Sequence, residues 1–389
     1  MNATAQQRIS ARIRREIDRG QFPGGAFGLW QNGREVLRAT EGMADVAAAR
    51  PLRPDSLFRI YSMTKPITAV AAMMLVEAGA LRFDAPVAEY LPEFAEMRRL
   101  SPDGEIVPCR TVMTVAQLMS MTSGLVYPDP DPAGGYMQRC FDAFQPDALT
   151  GGGPTTREVA RLIASQPLDF EPGTNYRYGL SADVVGAIIE VVSGRAFGDF
   201  LREELFDPLG MADTGFYVPE GKRERFVTLY TLQDGVPKPD PRRHLGLSLC
   251  LRPPRFESGG AGIVTTMDDY ARFGCMLAAR GVANGWRFVS EKTIRLFERG
   301  MVGPEDYPGL NTENNRGFRY GCFMRALRDP AAFGAPGTPG EFGWEGWTGP
   351  YMSVDARRNR FMVFMMQVGG VNDWALYRDL RSIAVAELA

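Results

Sequence analysis

Ser62, Met63, Thr64 and Lys65 set a hydroxyl and an amine three residues apart, a spacing that puts both on one face of a helix. After Ile60 and Tyr61, apolar residues recur at Ile67, Val70, Ala71, Met74, Leu75 and Ala78, so the pattern predicts a helix from about Ser62 to Ala78. Pro66 falls in its first turn, where a missing N–H removes no intrahelical hydrogen bond. Ser62 then stands at the helix N-terminus, within reach of the Lys65 amine and where the helix dipole favours developing negative charge. That is the geometry of an activated nucleophile. By itself the tetrapeptide also fits an N-capping serine with a surface lysine, so other residues must decide.

One histidine, His244, occurs in 389 residues. A Ser-His-Asp hydrolase would have to use it, yet it sits in the polar run Pro239 to His244 and reads as a loop residue. Gly179-Leu180-Ser181-Ala182-Asp183 imitates a nucleophile elbow but lacks the final glycine that lets strand and helix approach closely. Base chemistry therefore falls to lysine and tyrosine. Two later stretches could place such groups. Glu171 to Gly179, EPGTNYRYG, is a turn leading into a helix and can hold a tyrosine at a defined point. Phe342 to Tyr351, FGWEGWTGPY, is dense in glycine just before an apolar strand, where backbone could approach a ligand.

The positioning elements follow from periodicity. The N-terminal twenty residues read as an amphipathic helix with no apolar signal-peptide core. Gly25 to Trp30 and Glu35 to Thr40 flank an Asn-Gly turn signal and predict a hairpin. Thr114 to Met121, with Thr114 as N-cap, Thr156 to Ser165, Ala182 to Ser193, Phe197 to Leu205 and Met267 to Ala279 predict helices. Tyr127 to Pro154, rich in Pro, Gly and Asp, reads as a loop over the site, with Tyr136, Phe141 and Phe144 as candidate wall residues. Phe318 to Leu327, Tyr351 to Asp355 and Phe361 to Gln367 predict strands, and Trp374 to Leu388 a closing helix. The expected fold class is α+β: an antiparallel sheet built from both chain ends and flanked by helices. Residues 1–84 and 256–389 would form that domain and 85–255 a mainly helical insertion.

Composition narrows the function. Forty-four basic against 46 acidic residues leave a formal charge of −2, which advertises neither nucleic acid nor an anionic membrane as partner. No apolar run approaches the roughly 18 residues of a spanning helix. Five cysteines, an odd number without C-x-x-C spacing, fit free thiols in a reducing compartment, so a cytoplasmic protein is expected. No spacing suggests a metal site or a cofactor.

Taken together, SMTK (62–65), LRFDAPVAEYLPEF (81–94), VAQLMSMTSGL (115–125), PGTNYRYG (172–179), SGGAGIVTTMDDYARF (258–273) and WEGWTG (344–349) resemble the serine β-lactamase and penicillin-recognising family. The likeness is to its class C-like branch of esterases, the family VIII carboxylesterases. It implies a β-lactamase-like fold, Ser62 as acylated nucleophile, Lys65 as its proton acceptor, and Tyr178 as the tyrosine that shares the proton and passes it to the leaving group. An ammonium beside a phenol would favour the phenolate and make Tyr178 a usable base. The oxyanion hole would be the backbone N–H groups of Ser62 and Trp347. Tyr127, Leu180, Trp344, Gly346 and Trp347 would contact substrate. Leu180 replaces the asparagine of Y-x-N, and Trp344-Glu345-Gly346 replaces K-T-G, which implies a more apolar pocket suited to esters. The expected activity is a carboxylesterase on short- to medium-chain esters, its partner a small-molecule ester. An acyltransferase, an amidase or D-amino-acid peptidase, a β-lactamase and a non-catalytic binding protein are the alternatives. The sequence leaves the oligomeric state open.

Overall fold

Two strands of near-continuous burial carry the fold: Gly24–Gln31 from one end of the chain and Arg360–Met365 from the other. They pair antiparallel, Ala26 opposite Met365 and Gln31 opposite Arg360. The computed structural model describes residues 4–150, 152–240, 244–247 and 249–387, with backbone alone for 143–150. Around this seam runs one eight-stranded sheet in the order Phe318–Gly321, Met324–Leu327, Phe342–Gly343, Tyr351–Asp355, Arg360–Met365, Gly24–Gln31, Arg34–Asp45, Arg50–Pro51. Every pairing in it is antiparallel. The α+β fold built from both chain ends is therefore present.

Alternation along the strands gives the sheet two apolar faces. Phe27, Leu29, Met362 and Phe364 pack against Ile9 and Ile13 of the Ala5–Asp18 helix and Leu376 and Leu380 of the Trp374–Glu387 helix. The N-terminal helix starts in a capping box between Thr4 and Gln7, and Arg12 Nε donates to Asp379 at 2.7 Å to tie the two terminal helices together. Ala26, Trp30, Phe361 and Val363 face the other way, into the larger core that holds the Met267–Ala278 helix. In that core lies the Thr64–Glu77 helix, whose first ten residues are all buried, as befits a helix apolar on every side.

Residues 85–255 hold the helices Val115–Met119, Thr156–Ala164, Ser181–Ser193 and Phe197–Leu201, and two small hairpins. The expectation of a loop over Tyr127 to Pro154 is overturned, because Pro132–Thr150 is a helix. Asp131 Oδ1 accepts from Gly134 N at 2.9 Å and Pro132 opens the first turn, both helix-starting devices that the surrounding Pro, Gly and Asp disguise. The single strand expected over Phe318 to Leu327 is a hairpin, turned at Cys322 and Phe323 with φ of +49° and +61°. Glu291–Arg299, capped by Ser290, is a helix with no counterpart in the sequence reading. Leu388 lies outside the described residues. Among the described residues the five cysteines are unbridged, and no helix is long and apolar enough to cross a membrane.

Candidate active site

Leu57–Arg59 pairs antiparallel with Val264–Thr266, and Ile60 N donates to Ile263 O at 3.1 Å. This delivers the chain into a single 3-10 turn, Tyr61–Met63, that runs directly into the Thr64–Glu77 helix. Ser62 thus sits one turn before the α-helix proper, and Pro66 occupies its third position. Tyr61 has φ of +43°, a left-handed conformation that a residue with a β-carbon adopts only when its surroundings enforce it.

Lys65 is fully buried, and its Nζ lies 3.3 Å from Ser62 Oγ, 2.8 Å from Tyr127 OH and 2.8 Å from Gly260 O. The 258–266 segment clamps this helix along its length. Ile263 N donates to Thr64 Oγ1 at 3.2 Å, and Thr68 Oγ1 donates to Gly259 O at 2.7 Å. Gly259 is required there, since a β-carbon would fall 2.4 Å from Ala182 O. The buried Asp183 carboxylate accepts from Ser258 Oγ and Gly260 N and so fixes the turn whose carbonyl holds Lys65.

Tyr178 arrives on the turn before Ser181–Ser193. Arg177 N donates to Met121 O at 3.0 Å, and its guanidinium binds Asp169, Asp129 and Asp131, tying this turn to the segment that carries Tyr127. Both phenols hydrogen-bond the Ser62 hydroxyl, with ring centroids 5.6 Å apart. Trp344 Nε1 donates to Tyr178 OH at 3.0 Å.

Electrostatics invert one expectation. Burial draws the Lys65 ammonium down from the ordinary 10.5 to about 7, with Asp183 and Glu345 opposing the shift. The same burial pushes the phenols of Tyr178 and Tyr127 up, so Tyr178 is held as a neutral phenol and not as a phenolate. Once neutral, an amine that donates to Tyr127 and Gly260 has its lone pair left for Ser62 Oγ, 3.3 Å away.

A cleft of about 590 Å³ opens over Ser62. Tyr127, Tyr178, Trp344, Gly346 and Trp347 line it. Leu180 does not: it is the N-cap residue of Ser181–Ser193, 1% exposed, with its side chain withdrawn into the main core. Its placement against substrate is corrected accordingly, because an isobutyl group at a helix start gains more from the core than from a wet wall. Phe141 is buried in the core and Tyr136 packs against it; neither lines the cleft, and the Phe144 side chain lies outside the described residues. Nor is the wall around Trp344 simply apolar. Arg325 lies 4.3 Å from the Trp344 ring centroid, pairs with Glu345 through both terminal guanidinium nitrogens, and donates from Nε to Asn315 at 3.0 Å.

Gly346 backs onto the turn that carries Ser62, since a β-carbon on it would fall 2.3 Å from Ile60 O. Gly346 N donates to Pro350 O, and Gly370 N to Trp347 O, at 2.8 and 2.9 Å. These contacts bring the peptide between Gly346 and Trp347 beside the turn of Ser62. His244, read from sequence as a loop residue, also lines the cleft and stacks on the Trp347 indole at 4.0 Å and 20°. No local pattern announces it, because the contact joins segments a hundred residues apart.

A family model described as Beta-lactamase matches residues 9–386 of the chain. The chain is 32% identical over 371 residues to Protein Rv1367c of Mycobacterium tuberculosis, covering 92% of this chain and 88% of the relative. It is also 32% identical over 347 residues to the esterase EstB of Burkholderia gladioli, covering 86% and 83%. Among solved structures, EstCE1, a hydrolase with promiscuous acyltransferase activity, has a TM-score of 0.83 at 24% identity over 98% of each chain. A family VIII carboxylesterase has a TM-score of 0.70 at 22% identity, covering 100% and 98%. At these identities the structural likeness is one of fold.

Proposed function

Since the chain belongs to the beta-lactamase family and is a serine hydrolase of that family, we propose that it is a carboxylesterase that cleaves short- to medium-chain esters through an acyl-enzyme on Ser62. The observation that carries the reading is a buried Lys65 amine that loses its proton near pH 7, aimed at a serine hydroxyl that two phenols also contact.

Ser62 Oγ attacks the ester carbonyl as its proton passes to Lys65 Nζ. The carbonyl oxygen takes the negative charge between the N–H groups of Ser62 and Trp347. Lys65 then returns the proton through a tyrosine hydroxyl to the departing alkoxide, and the alcohol leaves. Tyr178, held by the Trp344 indole, and Tyr127, held by Lys65, are the two hydroxyls within reach. Water then attacks the acyl-enzyme, gives its proton to the same amine, and the carboxylic acid departs as Ser62 Oγ is reprotonated.

The esterase reading draws support from the relative named EstB and from Trp344, an indole donor, where β-lactamases of the family carry a cation. The five unbridged cysteines support a cytoplasmic setting. Hydrolysis of p-nitrophenyl butyrate by Ser62→Ala tests the mechanism: kcat/KM should fall by about 10³-fold or more, and an unchanged rate overturns it. With alcohol present, free acid should remain the main product; transfer product in excess would favour the acyltransferase that EstCE1 exemplifies.

A further inference from the structure

We propose that His244 is a positioning residue of the oxyanion hole: its imidazole, stacked on the Trp347 indole, holds the Trp347 peptide beside that of Ser62. The proposal rests on the reading of these two N–H groups as the oxyanion donors. His244 is the single histidine of the chain, and the described residues on either side of it contribute no strand to the main sheet.

Three contacts hold the Trp347 indole. The His244 ring lies 4.0 Å away and nearly parallel. Tyr61, the residue before Ser62, has its ring centroid 5.1 Å from that of Trp347 and 5.8 Å from that of His244. Gly369 approaches the six-membered ring so closely that a β-carbon would fall 2.3 Å from Cη2. Two of these three rings belong to the residues that set the donor peptides. Tyr61 directly precedes the Ser62 N–H and is kept at φ of +43°. Trp347 supplies the other N–H, and its carbonyl is anchored by Gly370 N. The third ring, His244, touches both and closes the cluster.

Tyr61 and Gly369 restrain the indole from two directions, and the stack supplies a third. An offset aromatic pair has a directional preference that an aliphatic neighbour lacks. Without it the indole can swing toward the space the imidazole leaves, and the peptide it is attached to turns with it. A transition-state donor is sensitive to such a shift, because the loss falls on the developing oxyanion and not on the bound ester.

The test compares His244→Ala, His244→Gln and His244→Phe in the full-length protein with p-nitrophenyl butyrate. Alanine and glutamine should lower kcat about 10-fold with KM within about twofold, the signature of an interaction made only in the transition state. Phenylalanine, which keeps a ring to stack, should restore kcat to within about threefold of the parent. All three should retain the rise in rate near pH 7 that belongs to Lys65. A parental kcat in His244→Ala, a phenylalanine variant as slow as alanine, or a glutamine variant as fast as phenylalanine overturns the assignment. If the alanine variant does not fold, the glutamine and phenylalanine pair decides by the same criteria. Undiminished turnover in Ser62→Ala would overturn the acyl-enzyme reading and this assignment with it. A loss confined to His244→Ala and His244→Gln supports both.

Discussion

With no surface exposed to water, the Lys65 amine meets two hydroxyls and one carbonyl directly, and the Asp183 and Glu345 carboxylates only partly offset its lost hydration, so its proton affinity falls. Two measurements follow from the same shift. The rate of ester hydrolysis, kcat/KM, should rise with pH through about 7 as the amine loses its proton. Stability should move with it. An unfolded chain takes up this proton near 10.5, whereas the native one does so only near 7, so folding is penalised increasingly as pH falls across that window and fully below it. Lys65→Met should therefore be inactive yet gain in thermal stability over the parent at and below pH 7, with the gain shrinking toward pH 10.5. Equal gains at both ends of the window would contradict the burial account. At this scale the spacing of Ser62 and Lys65 was readable because helix geometry is local. Tyr127 is a harder case: nothing in its own neighbourhood says that its hydroxyl meets the lysine. The misplacement of Leu180 has the same origin, since one residue decides whether a side chain at a helix start faces cleft or core.

Elements hold these groups by close backbone approach. The 258–266 segment passes between the Thr64–Glu77 and Ser181–Ser193 helices, touching Thr64, Lys65 and Thr68 on one side and Asp183 on the other. Gly259→Ala should force the 2.4 Å approach to the Ala182 carbonyl apart. The expected cost is about 1–3 kcal/mol in denaturant titration, together with a fall in kcat as Gly260 O leaves Lys65. A substitution that leaves both unchanged would show that this approach positions nothing. Several helix starts were legible because their caps are written in sequence: Thr114 with Gln117 forms the capping box that the N-cap assignment implied, and Thr155 with Glu158 forms another. The Pro132–Thr150 helix was missed because the residues that start it, Asp131 and Pro132, also serve in turns. The turn at Cys322 and Phe323 was missed because neither residue type favours positive φ, so only the sheet can impose it.

In the whole molecule, one face of the sheet is closed by the two terminal helices, and the apolar cluster they share contains none of the cleft-lining residues. Ile9, fully buried in that cluster, offers a clean separation of stability from activity. Ile9→Ala should cost about 2–5 kcal/mol in chemical denaturation while kcat/KM, measured well below the unfolding temperature, stays at the parental value. A parallel loss of activity would mean that the terminal helices reach the cleft after all. The class of the fold was accessible from the order hairpin, helices, strands, helix; the strand order was not, since it depends on which distant segments meet.

The meeting of Gly24–Gln31 with Arg360–Met365 also bears on how the chain is made. The partner of the first central strand leaves the ribosome only long after the strand itself. At about 5–20 residues per second, roughly 330 residues of synthesis separate the two, so the early hairpin waits about 20 to 60 seconds with one apolar edge uncovered. Yield in the cell should then depend on a short wait through fast translation, or on chaperone cover of that edge, as much as on the stability of the finished protein.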